Sequence, residues 1–412
     1  EYDSEKLLLD LEKNHYEQTN EMQEADMVLL NTCNIREKAA EKVYSELGRI
    51  KKFKDHKATL KIGVIGCVAQ AESLEIFDRQ PAVDFIVGPQ SYHKFPEIIS
   101  KLKDGERNII ETSFQASDKF KSIASLAGKP KPSAFVTIQE GCDKFCTFCV
   151  VPYTRGKEVS RSQQDILSEI REGTKKGVKE VILLGQNVNS YNFEGISFSS
   201  LIYSLAEIDE IKRIRFMTSH PRDMTDELIS AFGDIPKLMP FLHLPVQSGS
   251  NSILKSMNRG HMVEEYKGII NKLRLVRKDI CFSSDFIVGY PGETDKDFQE
   301  TIDLCKQVEF AQAYSFNYSS RPGTPASRKE ELDENLKKTR LHVLQDLLNK
   351  QQTIFLNEQK NRIHKVLFEK IGRGIDEYVG RTEQFSPVTV VSKENIVGEI
   401  RMVKINSVMS HS

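Results

Sequence analysis

Ala134-Phe-Val-Thr-Ile-Gln-Glu-Gly-Cys-Asp-Lys-Phe-Cys-Thr-Phe-Cys149 joins a strand signal to a thiol-rich loop within sixteen residues. Residues 134–139 are apolar and β-branched enough to predict a buried strand. Cys142, Cys146 and Cys149 follow at once in a C-x3-C-x2-C run. A loop of this spacing can wrap three thiolates around one face of a cubane iron–sulfur cluster, leaving one iron open. Zinc asks for a fourth ligand, often from a second C-x2-C or an H-x3-H, and neither occurs here. Three ordinary buried thiols, or a zinc loop completed by a distant His, are the bland alternatives.

Beyond the loop, strand signals recur at 180–184, 214–218, 240–244, 280–288 and 313–318. Helical patterns fall between and after them, near 163–176, 198–209, 224–233, 263–278, 295–307 and 333–357. With 134–139 these are six β/α repeats. They predict an α/β protein whose centre is a parallel barrel or partial (β/α)6 barrel, with function at the strand carboxyl ends. Upstream, 25–31, 60–66 and 83–87 read as buried strands, and 36–52 as a helix with Ala39, Val43, Leu47 and Ile50 on one face. This predicts a smaller N-terminal α/β sheet domain, mostly parallel. Cys33 and Cys67 fall just past strand carboxyl ends, the edge where open α/β sheets place ligands; on residue type alone, core thiols are the commoner reading. Gly128–Pro132 reads as a linker. From about 360, short strands at 365–369, 378–382, 388–391 and 400–405 predict a small C-terminal β-barrel of OB-like size. The expected domains are 1–104, 128–357 and 360–412, with 340–359 as a bridging helix.

The chain has 412 residues, 39% apolar and 28% charged, ordinary for a globular chain of two to four domains. No apolar run approaches the roughly 20 residues of a membrane span, so no membrane partner is expected. Net charge −1 excludes a globally basic coat. The tail is the exception: residues 360–412 hold nine basic and six acidic groups. Small barrels of this kind bind single-stranded nucleic acid through basic and aromatic groups. Arg373, Arg381, Lys393, Arg401, Lys404, Tyr378 and Phe385 are the candidates; a solvated charged face is the alternative. Seven cysteines without a secretory signal argue against a disulfide framework. Cys281 and Cys305, in a strand and a helix, are expected to be buried hydrophobes. Glu1 is not an initiator Met, so the sequence is expected to begin inside a longer chain.

C-x3-C-x2-C with Phe148 before the last Cys resembles the radical S-adenosylmethionine (SAM) signature. The wider stretch 139–161 resembles the methylthiotransferases of the MiaB type. The resemblance spans nearly the whole chain, through Asn31-Thr-Cys-Asn-Ile-Arg-Glu-Lys-Ala39, Gly66-Cys-Val-Ala69, Leu184-Gly-Gln-Asn-Val-Asn-Ser-Tyr191, Leu244-Pro-Val-Gln-Ser-Gly-Ser250, Met257-Asn-Arg-Gly260, Asp285-Phe-Ile-Val-Gly-Tyr-Pro-Gly-Glu-Thr294, Ser320-Arg-Pro-Gly-Thr324 and Gly380-Arg-Thr-Glu383. It implies an N-terminal methylthiotransferase domain, a radical SAM core and a C-terminal TRAM domain that grips RNA. It also implies SAM and two 4Fe-4S clusters. Cys142, Cys146 and Cys149 match the ligands of the SAM cluster. Cys33 and Cys67 match two of three ligands of an auxiliary cluster, whose third would lie upstream of Glu1.

The implied reaction is methylthiolation of carbon 2 of N6-isopentenyladenosine at position 37 of tRNA, in the cytoplasm. A monomer is expected, served by an electron donor and a sulfur or cluster-delivery protein. No side-chain acid or base removes an unactivated aromatic hydrogen at neutral pH, so a cofactor must. Candidate SAM contacts at strand carboxyl ends are Gln186, Asn187, Ser219, Gln247, Ser248, Gly289 and Gly292. Arg155, Arg161 and Arg222 are candidate phosphate or SAM-carboxylate partners, and His220 and His243 read more simply as core-edge residues. The competing readings are threonylcarbamoyladenosine in tRNA or a ribosomal-protein aspartate as substrate, and, from another class, a non-catalytic iron–sulfur or zinc RNA-binding protein.

Overall fold

A computed structural model of the chain describes residues 2–32, 37–113, 120 and 131–409. The chain divides into two compact units. The first comprises residues 1–128, 140–159 and 319–324; the second comprises 129–139, 160–318 and 325–412.

The first unit is built on four parallel strands in sequence order: β1 (Met27–Thr32), β2 (Lys61–Gly66), β3 (Phe85–Val87) and β4 (Ile109–Glu111). Helices α1 (Tyr2–Lys13), α2 (Glu37–His56), α3 (Cys67–Glu72), α4 (Leu74–Arg79) and α5 (Phe95–Lys103) connect or flank them. Strand residues with no polar alternation bury on both faces, as a covered parallel sheet requires. Val43, Leu47 and Ile50 of α2 close over Ile62, Val64 and Ile86. Leu7 and Leu11 of α1, with Phe95, Ile98 and Leu102 of α5, pack around Ile65, Phe85 and Val87. The three expected strands are present; β4 adds a fourth beyond the expected boundary at 104.

In the second unit the six expected strands form two parallel three-stranded sheets. One has the order β7–β6–β5, with β5 Ser133–Thr137, β6 Glu180–Leu184 and β7 Arg213–Phe216. The other has the order β8–β9–β10, with β8 Phe241–His243, β9 Cys281–Val288 and β10 Gln312–Asn317. A single bridge, Ile214 to Leu238, reaches from β7 toward the segment leading into β8. Pro240 has no N–H to extend that ladder. After the four-residue α6 (Val151–Thr154) of the first unit, the helices continue as α7 (Gln163–Lys175), α8 (Phe198–Ala206), α9 (Asp226–Asp234), α10 (Asn251–Ser256), α11 (Val263–Val276), α12 (Asp295–Val308) and α13 (Glu334–Glu358). Ser162, Ser197, Thr225, Thr294 and Asp333 cap α7, α8, α9, α12 and α13 through side-chain oxygens.

Four antiparallel strands end the chain, in the order β13–β12–β11–β14: β11 (Ile363–Ile371), β12 (Glu377–Arg381), β13 (Pro387–Val391) and β14 (Ile400–Lys404). They make one sheet over a small core of Val366, Phe368, Tyr378 and Ile396. The expected linker at 128–130 and the start of the expected helix at Arg36 lie outside the described residues.

Candidate functional site

The cysteine loop continues the chain from β5 and packs within the first unit. Its tail is held there: α3 packs against α6, and Gln90 Nε2 donates to the Arg155 carbonyl at 2.6 Å. Inside the loop, Cys142 N donates to Gly156 O (3.1 Å), Asp143 N to Glu158 Oε1 (3.2 Å) and Cys149 N to Cys146 O (2.9 Å). Cys146 is buried; Cys142 and Cys149 are half-buried. Phe145 takes a left-handed backbone (φ 47°), uncommon for an aromatic residue and a sign of a shape imposed by the loop. Its ring meets Tyr153 edge to face at 6.2 Å, and both are about half exposed.

Burial pushes the Cys142 thiol up to about 11, with the charges of Glu158 and Cys146 adding to the rise. Such a thiol ionises when a cation is supplied, as in a metal site. Among the described residues, no three Cys, His, Asp or Glu side chains converge as a single-ion site requires. A cubane seats each thiolate on a separate iron, so it makes no such demand, and three soft donors on one half-buried loop suit it.

Cys67 opens α3 directly after β2 and is half-buried. Cys33 lies outside the described residues. The strand register pairs Thr32 with Gly66, the residues immediately before the two cysteines, so the chain leaves both strands at neighbouring points.

At the carboxyl ends of β6 and β7, three of the expected SAM contacts come together. Gln139, fully buried, accepts the backbone N–H groups of Gln186 (3.0 Å) and Asn187 (3.1 Å) on its Oε1. Gly185 has no room for a side chain there: a Cβ would sit 2.6 Å from that same Oε1. Val188 N donates to Thr218 O (3.0 Å), and Thr218 Oγ1 to Gly185 O (2.6 Å), stitching the loop after β6 to the loop after β7. Asn187 Nδ2 donates to Asp223 Oδ2 at 2.7 Å. Ser219 is buried, yet its Oγ has no hydrogen-bond partner among the described residues. A buried hydroxyl left so is costly, and a polar ligand would satisfy it.

The other expected contacts lie at the ends of the second sheet. Gln247 has φ 77° and is locked by its backbone, accepting from Ile287 N and donating to Asp285 O. Ser248 is wholly buried and its Oγ serves Ser250 N and Thr301, so it is a structural residue rather than a ligand contact. Gly289 also departs from expectation. A Cβ there would lie 2.4 Å from Lys337 Cγ, so the close approach that demands glycine is the lysine stem's, not a ligand's. Gly292 has open space at its Cβ position.

Arg161 is likewise spoken for: it is buried against Glu169 and is not available to a phosphate. Arg155 is half-buried, its carbonyl held by Gln90, and Arg222 is exposed. His243 bonds Ser283 (3.0 Å) and His220 caps the turn at Arg222, as core-edge residues do. Cys305 is buried and Cys281 half-buried, both thiols raised by burial.

In the C-terminal sheet, Arg381 Nη1 donates to both carboxylate oxygens of Glu369 (2.9 and 3.1 Å) and its guanidinium lies over the Phe385 ring, while Arg401 pairs with Glu399 (2.6 Å) and Glu394 (3.1 Å). Both guanidinium groups are paired with carboxylates of their own sheet and its loops, though each keeps more than a third of its side chain exposed. Tyr378 is buried and Phe385 is stacked, so neither offers a bare ring. Arg373, Lys393 and Lys404 are exposed and form no ion pair among the described residues. Sequence reasoning missed Gln139 as a positioning group, although it sits in the quoted stretch just before the loop.

The radical SAM superfamily model matches residues 136–305, and the model of the uncharacterized protein family UPF0004 matches residues 1–88. The chain is 52% identical to a tRNA-2-methylthio-N(6)-dimethylallyladenosine synthase of Ruegeria pomeroyi, covering 98% of this chain and 93% of that one. It is 50% identical to the protein of the same name from Cereibacter sphaeroides, with the same coverage. Among solved structures, a radical SAM methyltransferase from Kitasatospora setae is similar at TM-score 0.59 and 11% identity, over 79% of this chain and 71% of that one; this speaks to the fold alone. A strand-borne three-cysteine loop, stitched loops at the next two strand ends and half the residues shared along nearly the full length lead to one conclusion: the chain belongs to the tRNA-2-methylthio-N(6)-dimethylallyladenosine synthase family of radical SAM enzymes.

Proposed function

We propose that the chain methylthiolates carbon 2 of N6-isopentenyladenosine at position 37 of tRNA. The observation that carries this is the C-x3-C-x2-C loop following β5, in a chain half identical to synthases of that name over 98% of its length. A 4Fe-4S cluster on Cys142, Cys146 and Cys149, together with SAM, supplies the radical chemistry that replacing an unactivated aromatic C–H requires.

The chain's own part is binding and orientation. Gln139 holds the backbone of Gln186 and Asn187 in place to receive the SAM amino acid moiety, and the Ser219 hydroxyl adds a hydrogen bond. Gln247 serves from the second sheet. Asp223 fixes the Asn187 amide. Cys33 and Cys67 are assigned to a second, sulfur-donating 4Fe-4S cluster. The C-terminal sheet is assigned as a TRAM domain, with Arg373 and Lys404 meeting phosphates of the tRNA anticodon stem-loop. An electron donor and a sulfur or cluster-delivery protein complete the system, in the cytoplasm where tRNA is modified. No helix among the described residues is long and apolar enough to cross a membrane.

Replacing Cys142, Cys146 or Cys149 by alanine is expected to lower bound iron by about four per chain. It should also abolish methylthio-isopentenyladenosine in tRNA, read by nucleoside mass spectrometry. Full product from any of the three variants would refute the assignment.

A further inference from the structure

The strongest buried charge cluster in the second unit lies away from the strand carboxyl ends. Glu180 and Arg213 are the first residues of β6 and β7, paired in register, and Arg215 follows on the same strand face. All three are at most 3% exposed. Arg215 Nε donates to Glu180 Oε2 (2.9 Å), and Ser133 Oγ at the start of β5 donates to Glu180 Oε1 (3.1 Å). The remaining donors of both guanidinium groups point into the C-terminal domain. Arg213 donates to the carbonyls of Arg381 and Lys365 (both 2.9 Å); Arg215 donates to those of Thr382 and Glu383 (both 2.8 Å). Phe385, itself at φ 69°, lies between Arg215 (4.8 Å) and Arg381 (4.6 Å) and against Phe241, the first residue of β8 (5.5 Å).

Adhesion alone does not call for this. Apolar residues of similar volume hold a buried interface at least as well, because taking two charges out of water is costly. What two rigid forks add is direction. Each guanidinium is planar with donors at fixed angles, and here they read four main-chain carbonyls from β11, β12 and the loop after it. That fixes translation and rotation together.

We propose that Arg213 and Arg215 are positioning residues that hold the C-terminal domain in one register on the amino ends of the strands. This deepens the reading above, on which that domain grips tRNA. With the domain fixed, gripping the stem and presenting the adenosine are a single binding event. With it loose, the second engagement must be won again against chain entropy.

Arg213→Lys and Arg215→Lys keep a positive charge beside Glu180 but replace the planar fork with one flexible ammonium, which cannot hold carbonyls at two fixed, separate positions. Three quantities are read on each variant and on wild type: hydrogen exchange of the 377–391 amides, Kd for a full-length tRNA transcript in cluster-free protein, and tRNA-independent SAM cleavage in reconstituted enzyme. Exchange is expected to quicken at least tenfold and Kd to rise at least tenfold, with SAM cleavage within twofold of wild type. Should either variant fail to fold by circular dichroism, Phe385→Leu loosens the stack alone and should shift exchange and Kd about threefold. Unchanged exchange, or quickened exchange with unchanged Kd, overturns the proposal. Whether wild type forms the methylthio product tests the reaction assignment separately, since exchange and Kd need no turnover.

Discussion

Gln139→Met removes an amide while keeping the length of the side chain, at a fully buried residue. Its Oε1 is the acceptor for two backbone N–H groups, of Gln186 and Asn187. Each buried donor left without an acceptor costs about 1–3 kcal/mol, so the substitution should cost about 2–6 kcal/mol. The loss can fall in two places. If the loop stays put, it appears in global stability as a lower urea midpoint with the slope unchanged. If the loop opens to rehydrate its N–H groups, it appears in SAM affinity, at tenfold in Kd per 1.4 kcal/mol. Urea unfolding and SAM titration of the same preparation capture both, and iron content should match wild type. A variant with wild-type midpoint and wild-type Kd would show that Gln139 does not hold this loop.

Three further outcomes are expected. Glu169→Ala strands the buried Arg161 guanidinium and should destabilise by about 3–5 kcal/mol in denaturant, whereas an exposed pair such as Lys272–Asp226 should cost under about 1 kcal/mol. Gly289→Ala meets both the Lys337 stem and a backbone at φ 69°, and should lower stability by at least about 1–3 kcal/mol; a neutral result would mean the lysine is not seated there. Burial, then the charge of Arg259, pushes the His261 imidazole down to about 4 from 6.5. Between those values the unfolded chain binds the extra proton, so stability should fall as pH drops from about 6.5 to 4 and then level off. His261→Gln should flatten that slope in pH-dependent thermal unfolding, and an unchanged slope would assign the effect elsewhere.

The six parallel strands of the second unit were legible because buried strands flanked by amphipathic helices leave a strong apolar pattern, as at 180–184 and 280–288. The thiol loop was legible because ligand spacing is local. Partnership across strands was not. Arg381 looks like a free cation in a basic tail, and only register puts Glu369 beside it, whereas Arg401 finds Glu399 two residues away in sequence. Arg213 and Arg215 run against the rule that arginine stays outside, and nothing within β7 announces the carbonyls that accept from them. Gly289 sits in a motif that invites a ligand, whereas its demand for glycine comes from its own φ of 69° and from a lysine almost fifty residues later. The packing of 140–159 with the N-terminal unit depends on Gln90 and α3, which no local signal ties to the cysteines.

The C-terminal sheet is moored at the starts of β6 and β7, and the loops carrying Gln186, Asn187 and Ser219 lie at their finishes. A strand of five residues rises about 3.3 Å per residue, so these two landmarks stand about 15 Å apart along the strands. On the reading proposed above, in which the C-terminal sheet grips tRNA, an RNA engaging both has to span that height. On that reading the molecule works as a calliper: a loop offered without enough stem behind it falls short of one jaw, and nucleotide identity need not be consulted for it to be refused.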